Sequence, residues 1–296
     1  MTEDGTMRAE SVPVEVDGHR IAVSRWSATG SGSPAAERTI VFLHAGVCDR
    51  RSWYRTAEQL TDLGTLIAYD RRGFGETAVS SGPYRDVDDL WAVIEQASPA
   101  PSPADQSSPA DHAIWLVGSS MGGELAVDAA LTSPRRVAGL VLLTPAISGA
   151  PDDDEKLDPA SESLFEQLGA ARQAGDLEQR LQLHARIWLD GPAAGEPRVT
   201  GPARELALAM NSVILRNDVD DEAAAAGVEA WPQLEQIPTP ATVAWGDLDV
   251  PLLIEQCQEL AARLPHARHR VLSGTAHLPY LERPDLVAEV IRTAIG

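Results

Sequence analysis

The chain has 296 residues, enough for one large domain or one domain with an insertion, and long enough to bury roughly three quarters of its unfolded surface without staples. Apolar residues make up 44% and charged residues 23%, which excludes wholesale disorder and a fibrous chain. Against 44 Asp and Glu stand 24 Lys and Arg, a formal net charge of −20 that repels nucleic acid and anionic membranes, so neither is expected as a partner.

Cys48 and Cys257 lie far apart and lack the neighbours of a metal or redox motif, which points to a reducing compartment and no metal. The opening MTEDGTMRAE is acidic and has no apolar core of a signal peptide. The longest apolar run, 137–143, is far short of the ~20 residues of a membrane span. A soluble, cytoplasmic protein is expected.

Along the chain, residues 12–16 and 21–26 alternate as strands around Asp17-Gly18, a turn pair that closes a hairpin. TIVFLH at 39–44 is a short apolar run suited to a strand buried on both faces. A helix is expected over 52–63, a strand over 65–69 and a helix over 86–97, where Val87, Leu90, Trp91 and Ile94 fall at helical spacing. SPAPSPADQSSPAD, 98–111, reads as a flexible surface insertion. Strand, helix and strand follow over 113–117, 121–131 and 137–143, and the alternation predicts an α/β sheet.

The next strand pattern, 241–245, comes about a hundred residues later. Helical stretches at 164–168, 177–189 and 204–215 fill the interval, since a structureless loop of that length would be anomalous. The expected organisation is therefore a core over 1–144, a helical cap over 145–238 and the rest of the core over 239–296. The acidic run Asp152 to Glu155 lacks EF-hand spacing and reads as a solvated turn. A helix near 251–264, a strand near 270–272 and a terminal helix from Pro284 complete the chain.

Gly118-Ser119-Ser120-Met121-Gly122 fits G-x-S-x-G directly between a strand and a helix, the context of a nucleophile elbow. A serine hydroxyl near neutral pH needs a base and an orienting acid. Asp247 and Asp249 follow the strand 241–245. His277 follows the last strand among small residues, which sets it apart from the other six histidines. Chain order is then serine, acid, histidine, each beyond a strand end.

Five segments in this order and spacing, LHAG (43–46), DRRGFG (70–75), GSSMGG (118–123), WGDLDVP (245–251) and GTAHLPYLERP (274–284), resemble the α/β-hydrolase superfamily, in its capped esterase and enol-lactonase-like branch. The resemblance spans essentially the whole chain. It implies an eight-stranded, mostly parallel sheet with helices on both faces and a helical cap inserted after strand 6. It also implies Ser120 as nucleophile, Asp249 rather than Asp247 as the acid, and His277 as base. The alternative acid position, beyond the preceding strand, holds Thr144-Pro145.

Two backbone N–H groups are needed for the oxyanion, and Met121 and Gly46 are the candidates. Similar sequences have His-Gly where this one has His44-Ala45-Gly46. His44 is read as stabilising its loop, Cys48 as a buried thiol, and 70–75 as a structural turn. In the cap, Phe165, His184, Trp188, Met210 and Trp231 are candidates for the pocket or, at helical spacing, for the core of the cap itself, with His184, Trp188 and Trp231 carried forward as substrate-binding residues. The expected activity is hydrolysis of a small carboxylic ester or lactone through an acyl-enzyme, without metal or cofactor, by a monomer or small homo-oligomer. C–C bond hydrolysis by the same triad, or ligand sensing without turnover, are the alternatives. The negative charge favours a neutral substrate, and an anionic lactone would require a cap arginine such as Arg186 or Arg216.

Overall fold

The computed structural model describes residues 9–28, 38–80, 82–98, 114–151, 157–195, 197–218 and 228–296. The stretch 98–111, apart from Ser98, and the run 152–155 lie outside them. Strands β1 (Glu10–Val16), β2 (His19–Trp26), β3 (Thr39–Leu43), β4 (Thr65–Tyr69), β5 (Ile114–Ser119), β6 (Val137–Leu143), β7 (Ala241–Gly246) and β8 (Ala267–Leu272) form one sheet in the order β1-β2-β4-β3-β5-β6-β7-β8. The β1–β2 hairpin pairs Val14 with Ile21 across the Asp17-Gly18 turn, both of whose residues have positive φ, and β2 meets β4 antiparallel. From β4 onward the pairing is parallel.

The central strands are apolar without interruption because both faces are covered. Successive side chains go to opposite sides. Val41, Leu43, Leu116, Leu140 and Leu142 pack with helices α2 (Asp86–Ala97), α3 (Met121–Thr132) and α7 (Pro251–Arg263). Ile40, Phe42, Val117, Val141 and Leu143 pack on the other face with α1 (Tyr54–Ala57), α8 (Pro279–Glu282) and α9 (Pro284–Ile295).

The helix expected over 52–63 is much shorter. A 3-10 turn, Arg50–Trp53, capped by the Asp49 carboxylate on the Arg51 N–H, leads into the single turn of α1. Beyond it, three-residue bonds from Leu60 N–H to Ala57 O and from Leu63 N–H to Leu60 O tighten the chain. That geometry sinks Leu60 and Leu63 into the core beside α9 instead of continuing a surface helix.

Between β6 and β7 lie α4 (Pro159–Gln173), α5 (Leu177–His184) and α6 (Pro202–Asn217). Asp158 caps α4 by accepting from Ala160 and Ser161 N–H, and Asp176 caps α5 by accepting from Gln179 N–H. The α5 pattern, expected to run to 189, continues as a widened π-helical stretch over Ala185–Asp190. It ends at Gly191, where φ is 88° and an added Cβ would lie 2.2 Å from Leu248 O. Only glycine lets this segment approach the β7–α7 loop so closely. No described helix is long and apolar enough to cross a membrane.

Candidate active site

The candidate residues converge because parallel strands β3, β5, β7 and β8 all end on one edge of the sheet. Ser120 turns the chain from β5 into α3 with φ 51° and ψ −123°. Its N–H donates to Leu143 O, and its carbonyl accepts from the Gly123, Glu124 and Ala146 N–H groups, so the turn is held on both sides. A Cβ on Gly118 would lie 2.2 Å from Gly122 O, and one on Gly122 2.2 Å from Leu43 O. The motif glycines are thus required by backbone packing around the serine.

His277, 4% exposed, places Nδ1 2.8 Å from Oδ2 of Asp249, 3% exposed. The other carboxylate oxygen of Asp249 accepts from the Val250 N–H at 2.8 Å. Asp247 faces elsewhere, accepting from Ser273 Oγ and Gly274 N–H at 2.7 Å each, and ties the β7 turn to the loop before His277. Geometry therefore separates two aspartates that the sequence leaves close together.

Ser120, His277, Gly46 and Met121 open on one cavity of about 560 Å3. Gly46 sits so close to Met121 that a Cβ there would lie 2.4 Å from Sδ. The loop carrying Gly46 is fixed by the Ala45 carbonyl, which accepts from Cys48 N–H and pairs with His44 Nδ1. His44 Nε2 accepts the Arg71 N–H at 3.1 Å, which requires the proton on Nδ1. Burial, then the Arg71 charge, holds the His44 pKa well below the usual imidazole value, so it is a neutral brace for this loop. Cys48 is fully buried, and burial pushes its thiol up to about 12, leaving no reactive thiolate near neutral pH. Asp70 accepts from Arg50 N–H and Glu76 N–H, making 70–75 a structural turn.

The inserted helices form the other wall. Trp188, from the widened stretch after α5, lies with its ring centroid 4.7 Å from that of His277, and Phe165 packs edge-on against Trp188 at 5.8 Å. His184 also lines the cavity, with Nδ1 2.8 Å from Asn211 Nδ2. Burial lowers the His184 pKa and keeps it neutral. Trp231 lies away from the cavity on a 3-10 turn, Trp231–Gln236, under the Arg263 guanidinium, while Met210 is buried in the core. Arg186 and Arg216 do not line the cavity, whereas Arg172, Arg180 and Asn211 do. None of the three was among the sequence candidates. For the two arginines the signal is helical spacing: 180, 184 and 188 share one face, as do 165, 168 or 169, and 172.

Arg198 joins the insertion to the histidine loop, donating to Leu189 O, Asp190 O and Gly274 O. Its guanidinium also lies 2.6 Å from Glu282 Oε2, at ion-pair distance but not aligned as a hydrogen bond. Glu282 Oε1 accepts the Ala276 N–H. Burial pushes the Glu282 carboxyl up to about 7, against the pull of the Ala276 N–H and Arg198. Burial likewise raises Asp128 to about 6. Folded pKa values above those of the unfolded chain mean that the folded state holds extra protons from about pH 4 to 7. The stabilisation from these groups is complete below that window and is lost as pH rises through it. Tm is expected to fall between pH 5 and pH 8, less steeply in Glu282→Gln. Parallel slopes in a calorimetric pH series would refute the Glu282 part.

The chain belongs to the α/β hydrolase family, whose model matches residues 40–290. Among curated relatives, a putative 2-succinyl-6-hydroxy-2,4-cyclohexadiene-1-carboxylate synthase of Bacillus subtilis (strain 168) is 26% identical, the match covering 93% of this chain and 94% of the relative. A pimeloyl-[acyl-carrier protein] methyl ester esterase of Vibrio parahaemolyticus is 23% identical, with 90% and 96% covered. The enol-lactonase of Burkholderia xenovorans LB400 superposes with a TM-score of 0.67 at 20% identity, covering 95% of this chain and 98% of that one.

Proposed function

We propose that the protein is a serine hydrolase of carboxylic esters or lactones, with Ser120 as nucleophile, His277 as general base and acid, and Asp249 as the orienting carboxylate. The observation carrying this reading is the buried 2.8 Å contact between Asp249 and His277 beside a serine held on a strained strand-to-helix turn, serine and histidine opening on one cavity. Ser120 Oγ adds to the carbonyl carbon as its proton passes to His277 Nε2. The tetrahedral oxyanion is held by the Gly46 and Met121 N–H groups. Collapse breaks the bond to the alkoxy oxygen, which takes the proton from His277. Water then repeats the sequence on the acyl-enzyme, releasing the acid and restoring Ser120. The segment 145–238 acts as the cap, and Trp188 and His184 contact substrate from it. Trp231, the third substrate-binding candidate, is not part of this reading.

The relatives named as an esterase and an enol-lactonase support the ester and lactone class. A fluorophosphonate probe with peptide mapping tests the reading. Modification at Ser120, with ester and lactone turnover lost in proportion, is expected. Turnover persisting in fully labelled protein, or label on another residue, would overturn it.

A further inference from the structure

We infer that the cavity contains an anion subsite centred on Arg180, with Arg172 and Asn211 beside it, so that the preferred substrate carries a carboxylate separated by an apolar spacer from the reacting carbonyl. This rests on the hydrolase reading above and narrows its substrate class.

Arg180 on α5 and Arg172 in the last turn of α4 line the cavity that Ser120 and His277 also line. Most arginines described in this acidic chain are paired with a carboxylate within 4 Å, several on open surface. Among the described residues, Arg172 and Arg180 have no such partner, and Arg180 Nε is buried without a hydrogen bond. Arg172 is exposed, but Arg180 is half-buried, and a half-buried guanidinium in a chain with 44 acidic side chains ordinarily acquires a counterion, for which the cavity supplies the room. Asp218, the one acid on the described wall, is exposed at the end of α6 and pairs with neither arginine.

Asn211 is the second observation. It is 5% exposed, and its Oδ1 is buried without a partner while Nδ2 faces His184. Turning the amide over would let Oδ1 accept from the His184 Nδ1–H tautomer and would free the NH2 to donate to an anion. The neutral imidazole permits either tautomer, so the pair adapts to an anion without a buried charge.

Phe165, Leu168, Trp188, Ile214 and Leu215 supply the rest of the wall on this side, which suits a chain of methylene groups between the two polar ends. The overall charge of −20 opposes an anion at long range, but that field is screened beyond ~8 Å at physiological salt. Inside the cavity the nearest charges decide, and they include the half-buried Arg180 guanidinium, with the exposed Arg172 on the same wall.

The test compares the 4-nitrophenyl monoester of suberic acid, whose far end is a carboxylate, with the equally long ester ending in a carboxamide. The parent is expected to favour the anionic ester in kcat/KM, and Arg180→Gln to reduce the anionic-to-neutral ratio by about 10- to 100-fold, chiefly through KM. Arg180→Lys should restore part of the ratio. An equal ratio in parent and Arg180→Gln would overturn the subsite. Free suberate supplies a readout independent of turnover: it should raise the parent's Tm and raise that of Arg180→Gln much less. If neither ester is cleaved, the hydrolase reading fails. The suberate shift then decides the subsite, upheld if Arg180→Gln removes it and overturned if both proteins respond alike or neither responds.

Discussion

Asp249→Asn is expected to lower kcat by about 10⁴-fold while leaving the fold intact. The size of the effect follows from which amide atom would face the histidine. In the parent, one carboxylate oxygen accepts the Val250 N–H at 2.8 Å and the other lies 2.8 Å from His277 Nδ1. The amide must keep its oxygen on the Val250 N–H, since turning the NH2 there would set donor against donor. The NH2 then points at Nδ1, which can only accept from it. The imidazole proton moves to Nε2, and the nitrogen that should take the serine proton no longer has a free lone pair. Asp247→Asn is the control. Its carboxylate accepts from Ser273 Oγ and Gly274 N–H at an exposed turn, so its replacement should cost stability on the order of 1 kcal/mol and change kcat far less. Steady-state kinetics on both variants, with circular dichroism to check folding, makes the comparison. Similar losses in the two would remove Asp249 from the mechanism.

The contrast also shows where sequence reading stopped. Strands buried on both faces announce themselves as uninterrupted apolar runs, and the β1–β2 hairpin was legible because Asp17-Gly18 must supply two positive φ values. The end of α1 was not legible, because Leu60 and Leu63 continue a helical spacing that tertiary burial overrides. Asp247 and Asp249 sit two residues apart on one turn, so spacing alone left them open; the family resemblance selected Asp249, and in the structure it is the Asp249 carboxylate that faces His277.

In the insertion, the helices and the cavity-lining Phe165, His184 and Trp188 were legible, but the polar groups beside them were not. Arg172, Arg180 and Asn211 lie on three different helices, and their convergence depends on how those helices pack. Trp231 takes the other of the two readings open to a helical aromatic: it packs beneath Arg263 and against the core. Net charge, which favours a neutral substrate, is overruled only where the proposed anion subsite on Arg180 operates. A total of −20 describes the far field, whereas specificity is set by the few groups within contact distance of bound substrate.

Ser120→Ala is expected to lower kcat by at least about 10³-fold, approaching the ~10⁶-fold typical when such a nucleophile is removed from an intact triad. What remains would come from the N–H groups at Gly46 and Met121 and from substrate binding, so KM should change little. Stability offers a second readout on the same position. At φ 51° and ψ −123°, Ser120 occupies a conformation that glycine adopts freely and that costs an L-residue on the order of 1–3 kcal/mol. Ser120→Ala keeps the Cβ and should keep this cost. Ser120→Gly removes it, and despite glycine's greater unfolded-state entropy it should melt at or above the temperature of Ser120→Ala while being equally inactive. That ordering, dead enzymes ranked in stability by the presence of a Cβ, is expected if the turn is strained to present Oγ to the cavity. A Ser120→Gly protein clearly less stable than Ser120→Ala would mean that the turn is not strained. Turnover surviving in both variants would mean that the chemistry lies elsewhere.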